Sequence, residues 1–384
     1  MNVFDYLTWR GDVPFSADPF NEVDGLVLSL LAYTDFGAIV PAEGEISLKE
    51  AAATFFERFP RKVVEARSGF TAPAPLLMED MAAGARFRNT ILADYINVVD
   101  KDNTEQLSAV SFLLEDGSLF VAFRGTDSSL TGWKEDLAFS YLSETAGQKR
   151  AVSYLEREAA SFSGKIRVGG HSKGGNFAVY AASFCERAAQ DKISVVYSYD
   201  GPGFRDEILR TDGYTRILSR IRHIVPEASF FGMLMADRAE PIVIKSTASG
   251  FVQHDGFTWQ IVRNRFERGE LTETALMMEK TFDGWLEEMD DGERESLFDT
   301  VFSLLEATGE ESIKGVFSKK LKSADAVFDS LRGLPKDKRK EMLSLLGRLL
   351  QTGGRNAVST VASVTAANLP GKKDGDKTNK KAGE

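Results

Sequence analysis

The sequence predicts an α/β fold, with a mostly parallel sheet, helices on both of its faces, an antiparallel hairpin at one edge and a helical appendage at the C-terminus. Strand-like and helix-like segments alternate from about residue 118 to residue 247, which is the pattern of parallel β-α-β units. An Asp116-Gly117 pair between two apolar segments indicates a tight hairpin turn. Beyond about residue 265, only helix-like segments follow.

Composition sets the size of the core and the classes of partner. The chain has 384 residues, of which 43% are hydrophobic, enough for a large domain and a smaller second region. Its net charge of -10 favours solubility and repels phosphate backbones, which argues against nucleic acid as a partner. Cys185 has no second cysteine to pair with and is expected as a small buried residue in a reducing compartment.

The same reading gives an expected location. The first residues lack the basic and apolar regions of a signal peptide. No segment approaches the ~18 uninterrupted apolar residues that a membrane span needs. We therefore expect a cytoplasmic protein without a transmembrane segment, and transient contact with a membrane surface stays open.

The first third of the chain carries two predicted helices before the strands begin. Apolar positions at helical spacing predict a buried helix over residues 21–34. Ser47 followed by Glu50 matches a capping box and predicts a helix that continues to about Phe59. The apolar period then changes to two, and strands are predicted at residues 91–99, 106–114 and 118–123.

The middle of the chain supplies the parallel strands and the helices between them. Helices are expected at about 146–160 and 174–188, each followed by a strand. The expected strands lie at 165–169, 193–199, 220–225 and 241–247.

The C-terminal part is predicted to be helical and then unstructured. Amphipathic helices are expected at 273–289, 295–308 and 338–351. The last residues are polar and rich in glycine and lysine, which predicts a disordered tail. The predicted division is an α/β domain at 1–265, a helical region at 266–366 and a tail at 367–384.

The segment Gly170-His171-Ser172-Lys173-Gly174 carries the main functional signal. It matches G-x-S-x-G between a predicted strand and a predicted helix, which is the context of a nucleophile elbow in the α/β-hydrolase fold. In such an elbow the serine occupies a strained turn, and flanking glycines avoid clashes with the strand and the helix. The alternative is a glycine-rich structural turn, whereas a phosphate-binding loop would need a different spacing.

Ser172 is therefore the expected nucleophile, and two neighbours are expected to stabilise the oxyanion. The backbone N–H of Lys173 opens the helix and would point toward the oxyanion, while the Lys173 side chain is expected to face solvent. Thr126, in FVAFRGT, is expected to donate from its backbone N–H and its hydroxyl. Arg124 and Asp127 beside it are expected to form a loop salt bridge.

The general base must be one of three histidines. His171 directly precedes Ser172 on the strand, so its side chain is expected to point away and to serve packing or orientation. His223 is expected inside a strand. His254 follows the last predicted strand, where α/β-hydrolases carry the base in the order Ser, Asp or Glu, His, and it is the expected base.

A carboxylate must orient His254 at a distance of about 3.2 Å or less. Asp200 ends the strand after the nucleophile helix and is the expected acid, although an Asp turn before Gly-Pro-Gly would also explain it. Glu227 ends the next strand and is the alternative acid. Asp255 adjoins the base in sequence and is poorly placed to bond its ring.

These motifs together resemble two related families. VAFRGT at 121–126, GW..D at 132–136, GHSKGG at 170–175 and IVP at 224–226 are similar to class 3 (fungal-type) triacylglycerol lipases. The resemblance implies an oxyanion donor at Thr126 and the nucleophile at Ser172. YLTWRGD, FNEVD, GHSKGGNFAVYAA, DGPGF and QHDGFTWQ resemble an uncharacterised bacterial family of lipase-like α/β-hydrolases, over roughly residues 3–265.

The chain departs from the class 3 pattern at one position. Those lipases carry the acid in D-x-V-P, and His223 occupies that slot here. The acid of pancreatic-type lipases instead follows the earlier strand, in a turn similar to DGPGF. That similarity favours Asp200 over Glu227.

The sequence thus predicts a serine hydrolase of carboxylic esters, lipase-like or esterase-like, that needs no cofactor or metal. Its substrate would be a small-molecule or lipid ester, and the apolar segment SFFGMLMA at 229–236 is expected either to line an acyl pocket or to form a buried helix. A non-catalytic binding or scaffold protein with this fold is the main alternative. An acyltransferase or thioesterase would use the same three residues.

Overall fold

A computed structural model describes residues 1–41, 44–127, 129–287 and 289–306 of the chain. An eight-stranded sheet lies at its centre, with a separate two-stranded ribbon. The strands are β1 Glu45–Ser47, β2 Ile91–Asp100, β3 Glu105–Leu113, β4 Leu119–Phe123, β5 Ile166–His171, β6 Ile193–Tyr199, β7 Ile221–Pro226, β8 Ile242–Ile244, β9 Ile261–Val262 and β10 Arg265–Phe266.

The eight strands lie in the sheet in the order in which they occur in the chain. β1 to β4 pair antiparallel, and β4 to β8 pair parallel. The predicted Asp116-Gly117 turn joins β3 to β4, and Leu114 N–H donates to Ser118 O across it at 2.9 Å. The predicted parallel sheet with an antiparallel edge is confirmed, and its last strand, β8, is shorter than expected.

Helices cover the sheet on both sides. Those in the described residues are α1 Val3–Arg10, α2 Glu22–Leu31, α3 Leu48–Arg58, α4 Arg61–Glu65, α5 Leu77–Ala83, α6 Leu130–Ala138, α7 Ala146–Ser161, α8 Lys173–Phe184, α9 Arg187–Lys192, α10 Asp206–Leu209, α11 Asp212–Ile217, α12 Glu273–Glu287 and α13 Asp291–Glu306. The predicted capping box is present at α3, where Ser47 accepts from Glu50 N–H. Helices α1 and α6 are too short for their apolar spacing to have predicted them.

The order of the strands determines which helices cover which face. Crossovers between parallel strands are right-handed, so a sheet built in sequence order receives its crossover helices on one face. α7, α8 and α11 accordingly share one core with Val121 and Phe123 of β4. Phe120 and Ala122 point to the opposite face, where they pack in a second core with the N-terminal helices α1, α2, α3 and α5. These four helices and the loops around them therefore form a layer over this face of the sheet, the N-terminal layer.

A fully buried ion pair fastens this N-terminal layer. Arg86 Nε donates to Asp24 Oδ1 at 2.7 Å, and both side chains are 0% exposed. Arg86 Nη2 donates to Asp24 Oδ2 at 2.5 Å, and the remaining guanidinium N–H groups donate to the main-chain oxygens of Val13, Asp18 and Pro19. One buried cation thus binds α2 to the loop that follows α1, and all five of its N–H groups have acceptors.

The two described C-terminal helices pack beside α6. Leu286 on α12 and Phe298 on α13 share a small apolar cluster with Ala138 and Tyr141. The rings of Tyr141 and Phe298 stack with their centroids 6.1 Å apart. The first two predicted C-terminal helices are confirmed as α12 and α13.

The rest of the C-terminal prediction concerns residues beyond those described. The helix expected at 338–351 and the tail at 367–384 lie outside the described residues, and the predicted division of the chain into three parts stays a prediction. Among the helices that are described, none combines the length and apolar character needed to cross a bilayer.

We predict that Arg86→Met lowers the free energy of unfolding by about 3–5 kcal/mol, because it leaves the Asp24 carboxylate buried without its cation. Urea denaturation measures the change. Arg210→Met is the matched control, since Arg210 pairs with Asp206 at the surface, with 77% and 70% of the two side chains exposed. The control is expected to lose less than about 1 kcal/mol. Equal effects of the two substitutions would contradict this account.

Candidate active site

Ser172 lies at a sharp turn between β5 and α8. Its backbone has φ 59° and ψ -131°, a strained conformation for a residue with a Cβ. A Cβ on Gly170 would lie 2.3 Å from Gly174 O, and a Cβ on Gly174 would lie 2.1 Å from Phe123 O. Both glycines are therefore required by the close approach of strand, turn and helix, as a nucleophile elbow demands. The Ser172 side chain remains partly exposed.

Asp200 and His254 are hydrogen-bonded beside this turn. Asp200 directly follows β6, and its Oδ2 lies 2.6 Å from His254 Nδ1. His254 ends a short 3-10 turn, Gly250–His254. Its ring centroid lies 4.6 Å from that of His171, the residue before Ser172. The predicted nucleophile, base and acid are thus brought to one edge of the sheet.

The Asp200 carboxylate is buried and held by further donors. Its Oδ1 accepts from the Ser229 hydroxyl, and from Gly232 N–H at 3.2 Å. Burial raises the pKa of Asp200, but hydrogen bonds and charge from His254, together with the Ser229 bond, outweigh it and bring the pKa below its usual value. The carboxylate therefore stays ionised, and His254 Nδ1 must carry the proton that joins them.

The other acidic candidates lie elsewhere. The Glu227 carboxylate packs against Gly269, where an added Cβ would come within 2.6 Å of Oε1. Asp255 turns its Oδ1 toward Phe257 N–H at 3.0 Å, and burial raises the pKa of Asp255 to about 6.

His223 occupies the slot in which class 3 lipases carry the acid, and it contributes to the same site indirectly. The ring is buried, and Nε2 lies 2.9 Å from Gly232 O. A carbonyl oxygen only accepts, so Nε2 carries the proton and donates. Gly232 is also the residue whose N–H binds Asp200 Oδ1. His223 therefore supports the backbone that holds the acid on the neighbouring strand.

Thr126 lies in the loop after β4, and its hydroxyl is already engaged. Thr126 Oγ1 donates to Asp136 Oδ2 at 2.5 Å. A hydroxyl has one proton to donate, so only the backbone N–H of Thr126 is left for an oxyanion. The expected salt bridge between Arg124 and Asp127 is present at 3.2 Å. Ser129 caps α6 by accepting from Gly132 N–H at 3.1 Å, which fixes the far end of this loop.

The expectation that the Lys173 side chain faces solvent is wrong. Lys173 is buried, and its Nζ lies 3.2 Å from both Glu135 Oε2 and Gly132 O. Glu135 is itself fully buried and accepts from the backbone N–H groups of Gln106 and Gly147. The ion pair explains the difference, because α6 presents a carboxylate under the first turn of α8 that the sequence around Lys173 does not reveal.

Asp136 is the acidic residue most affected by this environment. Its side chain is 24% exposed, but Oδ1 is buried without a hydrogen-bond partner and lies 3.7 Å from Lys173 Nζ. Burial raises the pKa of Asp136 to about 6, against the opposing effects of Lys173 and the Thr126 hydroxyl. The Thr126 hydroxyl is therefore bound to a carboxyl group whose pKa burial raises to about 6.

Aromatic side chains surround His254. The rings of Phe231 and His254 lie 4.4 Å apart, and Trp133 on α6 approaches Phe231 at 6.4 Å. Phe70 lies 6.1 Å from the His254 ring and is 44% exposed. The segment 229–236 is not the buried helix considered above: it is an irregular loop with one 3-10 turn, Phe231–Met233. Phe231 therefore flanks the His254 ring directly.

Several residues of this site could not be found from the sequence. Tyr33, Ser229 and Glu135 carry no local motif, and each reaches the site from a different part of the chain. Asp136 stands in the GW..D motif, which is the one signal that pointed toward it. Among the described residues, no cluster of three or more His, Cys, Asp or Glu side chains is arranged to hold a metal ion.

The chain is similar to a known protein family and to a solved structure. A family model described as Mbeg1-like matches residues 81–303. No curated protein matches the chain. Among solved structures, one described as "Crystal structure of M37 lipase" is similar, at 13% sequence identity and a TM-score of 0.35. That match covers 55% of this chain and 69% of the other.

We predict that Asp136→Asn changes how stability depends on pH. The carboxyl has a pKa of about 6 when folded and about 3.9 when unfolded. The stability this gives is fully present below about pH 4 and is lost as the pH rises through about 6. Wild type should therefore lose about 1 kcal/mol more than the variant between pH 5 and pH 8.

Urea denaturation of both proteins at the two pH values measures this difference. Other titrating groups cancel, because both proteins carry them. A difference in unfolding free energy that is the same at pH 5 and pH 8 would contradict the raised pKa of Asp136.

Proposed function

Because this chain belongs to the Mbeg1-like family, a lipase-like family whose model spans more than half of it, we propose that it is a serine hydrolase of carboxylic esters. The observation that carries the proposal is the 2.6 Å hydrogen bond between Asp200 and His254 beside the strained Ser172 turn. The left-handed backbone conformation of Ser172 costs free energy, and packing alone gives no reason for it. A histidine oriented by a buried carboxylate beside the serine supports a catalytic reason for this strain.

Ser172, His254 and Asp200 would act as nucleophile, base and acid. Asp200 holds the proton on His254 Nδ1, which leaves Nε2 to take the Ser172 hydroxyl proton as Oγ attacks the acyl carbon. The imidazolium then gives this proton to the departing alcohol oxygen, and an acyl-serine remains. Water then attacks the acyl carbon while His254 takes a proton from it. His254 returns this proton to Ser172 Oγ as the bond between Oγ and the acyl carbon breaks and the carboxylic acid leaves.

Two backbone N–H groups would stabilise the tetrahedral intermediate. Lys173 N–H begins α8, so the helix dipole adds to its hydrogen bond. Thr126 N–H is the second donor, since its hydroxyl is bound to Asp136. The buried Lys173–Glu135 pair ties the nucleophile helix to α6 and thereby sets the distance between the two donors.

The substrate would be an ester with an apolar acyl group. Phe231 flanks His254 and Trp133 approaches Phe231, so that an acyl chain at the serine would meet aromatic surface. An acyltransferase or thioesterase would share the acyl-serine step, and only the acceptor or leaving group would differ.

A cytoplasmic location accords with the single, buried Cys185.

We predict that a fluorophosphonate probe labels Ser172 in the folded wild-type protein. The activated oxygen attacks phosphorus, and the adduct is found by mass spectrometry of the peptide that contains Ser172. Ser172→Ala should remove the label completely, and wild-type protein unfolded in urea serves as the control for non-specific reaction. A folded protein that remains unlabelled would support the scaffold alternative instead.

We also predict that Asp200→Asn lowers kcat/KM for a p-nitrophenyl ester by about 10⁴-fold, because the amide no longer selects the required His254 tautomer. Glu227→Gln is the matched comparison, since it makes the same chemical change at the end of the next strand. Its activity should stay close to that of wild type. A larger loss in Glu227→Gln than in Asp200→Asn would reassign the acid.

A further inference from the structure

Tyr33, His171 and the main chain of His254 form a line of hydrogen bonds that the mechanism above does not use. The Tyr33 hydroxyl lies 2.9 Å from His171 Nδ1. His171 Nε2 lies 2.7 Å from His254 O. The His171 side chain is 0% exposed, so both ring nitrogens have protein partners and neither is left to water. This line connects the N-terminal layer to the proposed base.

The chemistry of the partners decides the direction of each bond. A main-chain carbonyl oxygen only accepts, so His171 Nε2 must carry a proton and donate it to His254 O. Nδ1 of a neutral imidazole then has a lone pair and accepts from the Tyr33 hydroxyl. His171 is therefore fixed as the Nε2–H tautomer at both ends of the ring.

The ring is also kept neutral. Burial, followed by the proximity of His254, lowers the pKa of His171 to about 3. Burial raises the pKa of Tyr33, so its hydroxyl keeps its proton and remains the donor. An uncharged His171 matters here because an imidazolium would repel the one that forms on His254 during the reaction.

The Tyr33 hydroxyl has a place reserved for it in the oxyanion loop. A Cβ on Gly125 would lie 2.1 Å from Tyr33 Oη, 2.5 Å from His171 O and 3.1 Å from Ser172 Cβ. Gly125 therefore allows the oxyanion loop, the nucleophile turn and the tyrosine to meet at one point. Any side chain at this position would displace the hydroxyl from Nδ1.

We propose that His171 is a positioning residue that holds the main chain of His254, and that the Tyr33 hydroxyl stabilises the tautomer in which it does so. This proposal rests on the proposed function. The ring of His254 is held by Asp200, whereas its carbonyl is held by His171, so the base is fixed on both sides. The support is needed because the turn that carries His254 begins at Gly250 with φ 56° and exposes 62% of Val252.

The hydroxyl that binds His171 comes from the N-terminal layer. Tyr33 follows α2, and this segment lies outside the residues 81–303 matched by the family model. The N-terminal layer thus covers the sheet and also supplies the hydroxyl that binds His171 Nδ1. Without this layer, His171 would lack its hydrogen-bond partner at Nδ1.

The first experiment measures the tautomer of His171 in an inactive variant, so that its result does not depend on catalytic activity. Long-range ¹H–¹⁵N spectra of ¹⁵N-histidine-labelled Ser172→Ala protein should show His171 with a protonated Nε2 and a bare Nδ1 at pH 5 to 8. His171→Gln serves to assign the signals. A protonated Nδ1, or a ring that takes up a second proton within this range, would overturn the arrangement.

The positioning role is tested by a pair of His171 variants. His171→Leu should lower kcat, and the rate of fluorophosphonate labelling of Ser172, by about 100-fold, the loss expected from a catalytic group displaced by ~1 Å. KM should stay within about twofold, because His171 does not touch substrate. His171→Gln keeps an amide N–H for His254 O and should recover at least about tenfold of the loss, the usual scale of such supporting bonds. Leu and Gln variants with equal activity would overturn the proposal.

Tyr33→Phe removes the hydroxyl alone and should lower kcat while the protein stays folded. Tyr154→Phe is its matched control: Tyr154 is buried, and its hydroxyl donates to Asp94 O at 2.9 Å, away from the site. The control should keep wild-type kcat. If wild type itself is never labelled, the proposed function fails, whereas the tautomer in Ser172→Ala protein still decides the arrangement at His171.

Discussion

A parallel sheet whose strands follow one another in sequence order receives its crossover helices on one face, and the other face must be covered by chain from elsewhere. In this protein the N-terminal helices meet that requirement. The consequences reach from the core to the chemistry. Covering the sheet buries Arg86 with Asp24, and it also brings Tyr33 to the end of β5, where the nucleophile turn begins.

Buried charge is the second theme of the structure, and backbone groups make it tolerable. Glu135 accepts from two peptide N–H groups as well as from Lys173. Asp200 accepts from Gly232 N–H and a serine hydroxyl as well as from His254. Peptide N–H groups and hydroxyls therefore stabilise each carboxylate in addition to its charged partner. Such buried charges contribute less to stability than apolar packing would, but their hydrogen bonds fix the positions of the side chains.

Local sequence patterns were enough for strands β2 to β8, for the helices of ten or more residues and for the turn at Ser172. The capping box at Ser47 and the hairpin at Asp116-Gly117 depend on neighbouring residues only, and the glycines at 170 and 174 report a steric need of the turn itself. The proximity of Asp200 to the nucleophile turn expected at Ser172 follows from the order of the strands, because the ends of parallel strands meet at one sheet edge.

The remaining contacts depend on residues distant in sequence. The sequence around Lys173 does not indicate that its side chain is buried, because its partner, Glu135, stands 38 positions earlier on another helix. The loop at 229–236 was apolar enough to suggest a buried helix, yet Ser229 and Gly232 are held there by Asp200, far upstream in the chain. Tyr33 reaches His171 across 138 positions. Periodicity cannot report such pairs, since it describes one element at a time.

The relation between β6 and β7 has an implication for how related chains diverge. Tyr199 pairs with Ile224, so the residue that follows β6 and the slot filled by His223 lie on adjacent strands about 4.8 Å apart. A histidine on a neighbouring loop could therefore be oriented by a carboxylate from either strand. The slot on β7 has a structural role here, because the His223 imidazole donates to Gly232 O in the turn whose N–H binds Asp200. Searches that demand one fixed motif for the acid would overlook such chains, whereas a search on spatial arrangement would retrieve them.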